Sequence, residues 1–225
     1  MHIHSCLSPC GDIDMTPNNI VNMSIIKGLD VIAVTDHNTC GNVESVMKVA
    51  EGKIIVVPGM EIETSEDIHV VSYFKNSEDA KKAEEIIKKN LPKIKNKPEI
   101  YGNQYYMDEN DEITGEEENL LICACSLSIY EVFEVVKKCG GVAVPAHIDK
   151  NSYSVLSNLG FLPEDLDAPT LEVTPKNRYI KENEYKNYNI ISNSDAHYLE
   201  DISEPEFFME LEERSLEGVL KFLGK

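Results

Sequence analysis

The sequence predicts an α/β fold in which short apolar strands alternate with amphipathic helices around a parallel sheet. About seven runs rich in β-branched residues are separated by segments with helical periodicity. The 225 residues are 42% hydrophobic, which is enough to bury a substantial core. This length is that of one domain, or of a barrel with an insertion, so we expect a single domain over residues 1–225.

The predicted strands are short apolar runs bounded by turn-forming residues. They cover residues 31–35, 54–57, 69–74, 142–145, 170–173 and 189–192. Residues 1–4 are expected to add a short strand, and a later run at 207–211 also has the composition of a strand.

The predicted helices carry recognisable boundary residues. Thr16 is placed to cap a helix that starts at Pro17 and stops at Gly28. A second helix spans 128–138 and ends before two glycines. Further helices are expected at 77–91 and 215–223.

The segment 92–118 differs from the rest of the chain because it is polar and rich in Asn, Glu and Asp. A long stretch without regular structure is uncommon in a compact domain unless it has a function. We therefore expect a small insertion that forms either a lid over a site or a disordered hairpin.

The charge balance constrains the possible partners. Forty acidic and 21 basic residues give a net charge of -19, which would repel a phosphate backbone. Nucleic acid is therefore not expected as a partner, except as a nucleotide or a short oligonucleotide. The sequence has neither an apolar run of about 20 residues nor a signal peptide, so we expect a cytoplasmic protein without membrane contact.

Histidines and carboxylates cluster at the ends of the predicted strands. His2 and His4 are two residues apart on an extended segment, so both imidazoles point to one side. Side chains that follow successive parallel strands converge on one mouth of the sheet. Four further segments follow apolar runs in this way: Thr35-Asp36-His37-Asn38, Gly59-Met60-Glu61, Pro145-Ala146-His147 and Ser194-Asp195-Ala196-His197.

This combination predicts a metal site. A single buried histidine is more often a hydrogen-bonded core residue, but independent core histidines have no reason to share one end of several strands. Histidines mixed with carboxylates suit Zn, Mn or Fe, and a carboxylate can bridge two ions. The nine candidate ligands exceed the needs of one ion, so we expect two to three divalent ions. The candidates are His2, His4, Asp12, His37, Glu61, His69, His147, Asp195 and His197.

The motifs HIHSCLSPCGD, TDHN, GME, PAH and SDAH, in this order along nearly the whole chain, resemble the PHP (polymerase and histidinol phosphatase) family. The resemblance implies a distorted (βα)7 TIM-like barrel with a trinuclear metal site at the C-terminal mouth of the strands. Stand-alone members of that family are mostly phosphoesterases.

The resemblance also implies how the ligands are shared. The first metal would be held by His2, His4, Glu61 and Asp195. The second would be held by Asp12, His37 and His197. The third would be held by Glu61, His69 and His147, which makes Glu61 a bridge.

Three features depart from the family pattern. Pro9 occupies the usual position of an aspartate, so the ligand is expected to be Asp12, with Asp14 as the alternative. His69 opens its apolar run instead of closing it, so only the resemblance supports it. Only Met1 precedes the first histidine, so the first strand is expected to be truncated or to start upstream.

The expected activity is hydrolysis of a small phosphomonoester or nucleotide by a metal-activated water. Asp195 and His197 are the candidates for proton transfer. The alternatives are an exonuclease acting on nucleic-acid ends, an amidohydrolase-type reaction and a non-catalytic metal-binding protein.

Three cations are candidate contacts to the substrate. Lys176 and Arg178 follow the strand that carries Glu172, and Lys150 lies three residues after His147. The alternative is that all three are solvated loop residues. The sequence does not indicate an oligomeric state.

Overall fold

The computed structural model describes residues 1–225. Its helices are α1 (Pro17–Ile26), α2 (Val43–Ala50), α3 (Ser77–Asn90), α4 (Pro98–Tyr101), α5 (Ile129–Lys138), α6 (Val155–Leu159), α7 (Arg178–Glu184) and α8 (Leu216–Leu223). Its strands are β1 (Val31–Val34), β2 (Ile55–Glu63), β3 (His69–Tyr73), β4 (Tyr105–Met107), β5 (Ile113–Glu116), β6 (Val142–Pro145), β7 (Thr170–Val173) and β8 (Asn189–Ser192). The α/β class is therefore confirmed.

The central strands form mixed sheets. One sheet has the order β1-β2-β3-β6, and β7 pairs with β8. All these pairings are parallel except those of β3, which runs antiparallel to both β2 and β6. The expectation of a purely parallel sheet is therefore wrong. The physical reason is the short link 64–68, which allows an antiparallel return from β2 but is too short for the crossover that a parallel pair requires.

The N-terminal segment joins the two sheets. Ile3 forms parallel bridges to Val34 at the end of β1 and to Ala196 beyond β8. On the other side, the Ile148 N–H donates to the Glu172 carbonyl at 2.9 Å. No ladder pairs β6 with β7, so the structure does not confirm a closed (βα)7 barrel.

Most element boundaries agree with the sequence patterns. The strands β6, β7 and β8 have the predicted limits, and Thr16 caps α1 by accepting a hydrogen bond from the Asn19 N–H. The strand β2 continues to Glu63, six residues beyond its apolar run, because it pairs with β3 along that extension. The sequence patterns do not predict the helices α2, α4, α6 and α7.

The strand predicted at 207–211 is wrong. This segment has no strand partner, although Phe207, Met209 and Leu211 pack against buried residues while Phe208 stays 75% exposed. Alternating burial therefore arises here from packing alone. The run follows Pro205 and lies outside both sheets.

The core has two parts. The larger cluster packs the sheet against surrounding helices. The smaller one includes side chains from five strands, which therefore share one apolar cluster: Ala33, Val57, Val71, Val144 and Ile191. None of the helices combines the length and apolar composition needed to cross a membrane.

The segment 92–118 contains α4 and the antiparallel hairpin of β4 and β5. The buried Asn42 attaches this hairpin to the main body. Its Nδ2 donates to the Tyr105 carbonyl at 3.0 Å, and its Oδ1 accepts from the Met107 N–H at 2.9 Å. Asn42 therefore supplies two of the buried polar contacts that hold the hairpin.

We predict that Asn42→Ala lowers the free energy of unfolding by about 1–3 kcal/mol, because it leaves the buried Met107 N–H without an acceptor. Urea denaturation measures the change. Asn183→Ala is the control, since its exposed amide donates only to the Tyr179 carbonyl; it should change stability by less than about 0.5 kcal/mol. Equal effects of the two substitutions would contradict the anchoring role of Asn42.

Candidate metal centre

The first group of candidate ligands lies where the N-terminal segment enters the sheet. Ile3 bridges both neighbouring segments in an extended conformation, so the side chains of His2 and His4, one residue to either side of it, point to the same face. The His2 Nε2 lies 3.2 Å from Glu61 Oε1 and 3.3 Å from Asp195 Oδ1. The His4 Nε2 lies 3.4 Å from Glu61 Oε2 and 3.2 Å from Asp195 Oδ1. One atom from each of these four residues lies within 4.8 Å of the others, a spacing that one metal ion can span.

The carboxylate of Glu61 is the centre of the site. It is 1% exposed and lies in the extended part of β2. Besides the first two histidines, three more approach it. The His37 Nδ1 lies 3.1 Å from Oε2, the His69 Nδ1 lies 2.9 Å from Oε1, and the His147 Nε2 lies 3.3 Å from Oε1. A carboxylate surrounded in this way has the geometry of a bridging ligand.

A further group joins His4, His37 and His197, again with ligand atoms within 4.8 Å. The rings of His4 and His197 are stacked with centroids 4.2 Å apart. The structure thus brings together eight of the nine candidate ligands, all except Asp12.

The carboxylate of Asp12 points elsewhere. Its Oδ1 accepts a hydrogen bond from the Asp14 N–H at 2.9 Å, and only its backbone reaches the site, through an N–H donated to the His197 carbonyl. Asp14 is exposed. The aspartate ligand of the second group therefore stays a prediction for both residues.

The position of His69 follows from strand direction. Since β3 is antiparallel to β2, its first residue lies opposite Glu63 at the edge where the parallel strands end. The rule that ligands follow strand ends fails at His69 only because it assumes that every strand is parallel.

Hydrogen bonds around the cluster fix the histidine ring orientations. The His2 Nδ1–H donates to Glu172 at 2.9 Å, and the His4 Nδ1–H donates to the Ser8 hydroxyl at 2.9 Å. The Ser8 hydroxyl in turn donates to the buried Asp36 at 2.7 Å. Both rings therefore direct Nε2 at the cluster, as metal-ligating histidines do when their other nitrogen is held.

Sequence reasoning missed this outer layer. Asp36 lies within the TDHN motif and Glu172 within a predicted strand, but neither was assigned a role. A carboxylate within an otherwise apolar strand is the signal that identifies Glu172, because a buried charge requires a partner.

Electrostatics divide the histidines into two classes. Burial lowers the pKa of His69, but the Glu61 carboxylate outweighs this effect and raises the pKa to about 9. Burial also opposes ionisation of Glu61, yet the charges of His69 and His2 hold its pKa well below the usual range. Conversely, burial and the charge of His4 lower the pKa of His197 to about 4. The buried carboxylates thus attract positive charge into the cluster.

The donor set fits divalent metal ions. Two nitrogens, His37 Nδ1 and His69 Nδ1, lie within 3.1 Å of Glu61 but lack hydrogen-bond geometry, and His147 Nδ1 and Glu61 Oε2 are also buried without a hydrogen bond. These atoms face a common point, but the nitrogens do not direct N–H bonds at the carboxylate. Such an arrangement suits a cation bound between them. Imidazole nitrogens with carboxylate oxygens are ligands for Zn, Mn and Fe.

The three basic side chains predicted to contact the substrate lie in different places. Lys150 donates to Asp195 Oδ2 and lines the cavity above the cluster. Arg178 lies outside that cavity, paired with Glu182 at 2.8 Å and placed over the Phe207 ring. Lys176 is exposed and also lies outside it. The structure therefore brings only Lys150 to the site.

We predict that metal binding at pH 7 releases protons, because His69 must lose the proton that its raised pKa retains. Affinity should rise with pH up to about 9. Calorimetric titration with Mn²⁺ in two buffers of different ionisation enthalpy measures the released protons. Identical enthalpies in both buffers would show that the cluster is already deprotonated.

Comparisons with known proteins identify the family of this chain. The PHP domain profile matches residues 1–223. An uncharacterised Methanocaldococcus jannaschii protein, MJ1587, is 36% identical over 87 residues, covering 35% of this chain and 50% of that protein. The fold resembles the lesion-specific endonuclease PfuEndoQ from Pyrococcus furiosus, with a TM-score of 0.67 and 17% identity over 100% of this chain and 55% of that chain.

A third relative is a Bifidobacterium adolescentis protein assigned as a metal-dependent phosphoesterase, with a TM-score of 0.54 and 19% identity over 87% of this chain and 86% of that chain. The present chain spans about half the length of MJ1587 and of PfuEndoQ. Since the profile match covers nearly its whole length, the chain belongs to the PHP domain family.

Proposed function

We propose that this protein is a metal-dependent phosphoesterase that hydrolyses a small phosphomonoester or a nucleotide. The observation that carries this proposal is the convergence of five imidazoles on the buried carboxylate of Glu61. Divalent ions supply Lewis acidity, which polarises phosphate oxygens and activates water for in-line attack.

Within this proposal, the residues would form three ligand sets, two of which share Glu61. His2, His4, Glu61 and Asp195 would hold one ion, and Glu61, His69 and His147 would hold another. His37 and His197, with Asp12 or Asp14, would hold the third. Because the first two sets share Glu61, their ions would act on one phosphate group.

His197 is the better placed of the two candidates for proton transfer, a role in which its Nε2 would be free and His37 and the aspartate alone would hold the third ion. Its Nδ1–H donates to the Asp195 carbonyl at 3.0 Å, which leaves Nε2 as the basic atom. The side chain is 25% exposed, so its ring is accessible from the cavity that it lines. Asp195 is the second candidate, but the charges of His2 and His4 outweigh burial and keep its pKa low, which favours a role as a ligand.

Charge and size favour a small substrate. The cavity above the cluster has a volume of 170 Å³, and Lys150 is the lysine that lines it. Bound divalent ions would make this cavity positive on a protein whose net charge is -19. A small anion is attracted by the cavity, whereas a long polyanion is repelled by the surface.

A phosphodiesterase that acts on nucleic-acid ends is the second candidate. The likeness of fold to PfuEndoQ, a lesion-specific endonuclease, extends over the whole chain and supports cleavage of nucleic acid, but not a preference for its ends. The acidic surface opposes it.

We predict metal-dependent phosphate release from one class of small phosphomonoester. The assay measures inorganic phosphate from sugar phosphates, nucleoside monophosphates, nucleoside bisphosphates and short oligonucleotides with Mn²⁺, Zn²⁺ or Fe²⁺, and again after chelation. Glu61→Gln should lower kcat by more than about 100-fold, because an amide bridges two ions poorly.

The matched control is Glu117→Gln, which removes a half-buried carboxylate that accepts hydrogen bonds from Tyr106 and Lys88 far from the cluster. It should leave kcat unchanged. If no substrate of the panel releases phosphate while metal is bound and the circular-dichroism spectrum is that of the folded protein, the protein is a non-catalytic metal-binding protein or catalyses another hydrolytic reaction.

A further inference from the structure

The rim of the metal cavity carries one aromatic ring, that of Tyr153. The ring stacks on His69 with centroids 4.8 Å apart and an angle of 20° between the planes. Tyr153 nevertheless remains 48% exposed, and it lines the cavity together with Lys150 and Ser152. Because one face covers His69, the opposite face is open to a ligand.

The backbone fixes the position of this ring. Tyr153 has φ 54°, a left-handed conformation that is unfavourable for a bulky residue. The conformation is held by the His69 N–H, which donates to the Tyr153 carbonyl at 3.0 Å. The Ser154 hydroxyl also donates to the Lys150 carbonyl at 2.8 Å, which closes the turn. The ring is therefore preorganised before any ligand arrives.

The volume of the cavity limits what can enter it. At 170 Å³ it is smaller than the roughly 300–1,000 Å³ of pockets that enclose whole small-molecule ligands. The phosphate group fits beside the metal ligands, and the remainder of the substrate must lie across the rim. Tyr153 is the aromatic surface that this remainder meets.

We propose that Tyr153 is a specificity-determining residue that stacks on the base of a nucleoside monophosphate while its phosphate occupies the metal cavity. This inference rests on the proposed function and narrows its substrate class. Stacking on an aromatic side chain is available to every base, so the platform selects nucleotides over sugar phosphates without selecting one base. Lys150, ion-paired with Asp195, is placed to meet a phosphate oxygen at the same rim.

The test is binding of phosphonates, which contain no hydrolysable ester oxygen. Calorimetry with the Mn²⁺-loaded protein compares an adenosine 5'-phosphonate with ethylphosphonate, which has the same head group and no ring. The wild type should bind the nucleoside phosphonate about 5- to 100-fold more tightly, the range expected for one stacked base. Equal affinity of phenylphosphonate and the nucleoside phosphonate would overturn the assignment of a nucleotide.

Two variants test the ring itself. Tyr153→Asn removes the ring and tolerates the left-handed backbone, so it should abolish the preference while leaving the affinity for ethylphosphonate and the metal content unchanged. Tyr153→Phe should retain the preference. If Tyr153→Asn lowers the affinity for both phosphonates by the same factor, the ring only positions His69 and the inference is wrong. Because binding is measured without turnover, a lack of phosphate release would count against the proposed function alone.

Discussion

The site depends on the burial of one carboxylate. Removing the charge of Glu61 from water would be costly without compensation, and five histidines surround it. They come from the N-terminal segment, the turn after β1, the start of β3 and the turn after β6. The backbone departs from common conformations at the same place: Asn38, His147 and Asp195 have positive φ values of 55°, 27° and 53°. Asn and Asp adopt this conformation more readily than other residues, so His147 is the ligand whose backbone the surrounding structure holds in an uncommon conformation.

Much of this arrangement is predictable from the sequence, because strand ends and metal ligands both leave local patterns. The limits of β6, β7 and β8 follow from apolar runs between turn residues, and His2 with His4 follows from the period of a strand. Strand direction is not a local property, so the antiparallel course of β3 and the reason for His69 emerge only from the structure. The same holds for contacts distant in sequence, such as Glu172 with His2 and Lys150 with Asp195. The run at 207–211 shows the converse, since packing can imitate the alternation of a strand without any pairing.

The residues that hydrogen-bond to the candidate ligands explain how a cluster of histidines and carboxylates stays ordered. Asp36 accepts hydrogen bonds from the Ser5 N–H at 2.7 Å, the Ser5 hydroxyl at 2.6 Å and the Ser8 hydroxyl at 2.7 Å. This fully buried network orients His4 and also ties the first turn of the chain to the end of β1. Stability and ligand geometry therefore depend on the same residues, as is usual for metal sites with a developed outer shell. The net charge of -19 around a site that concentrates positive charge supports the proposal of a small anionic substrate.

Bridging of divalent ions by Glu61 can be tested by anomalous diffraction from crystals of the Mn²⁺-loaded protein. We expect two or three anomalous peaks, two of them at coordination distance of about 2.0–2.2 Å from the Glu61 carboxylate. One of these peaks should also contact His2, His4 and Asp195, and the other should contact His69 and His147. A single ion that Glu61 does not contact, or ions bound only at surface carboxylates, would contradict the account.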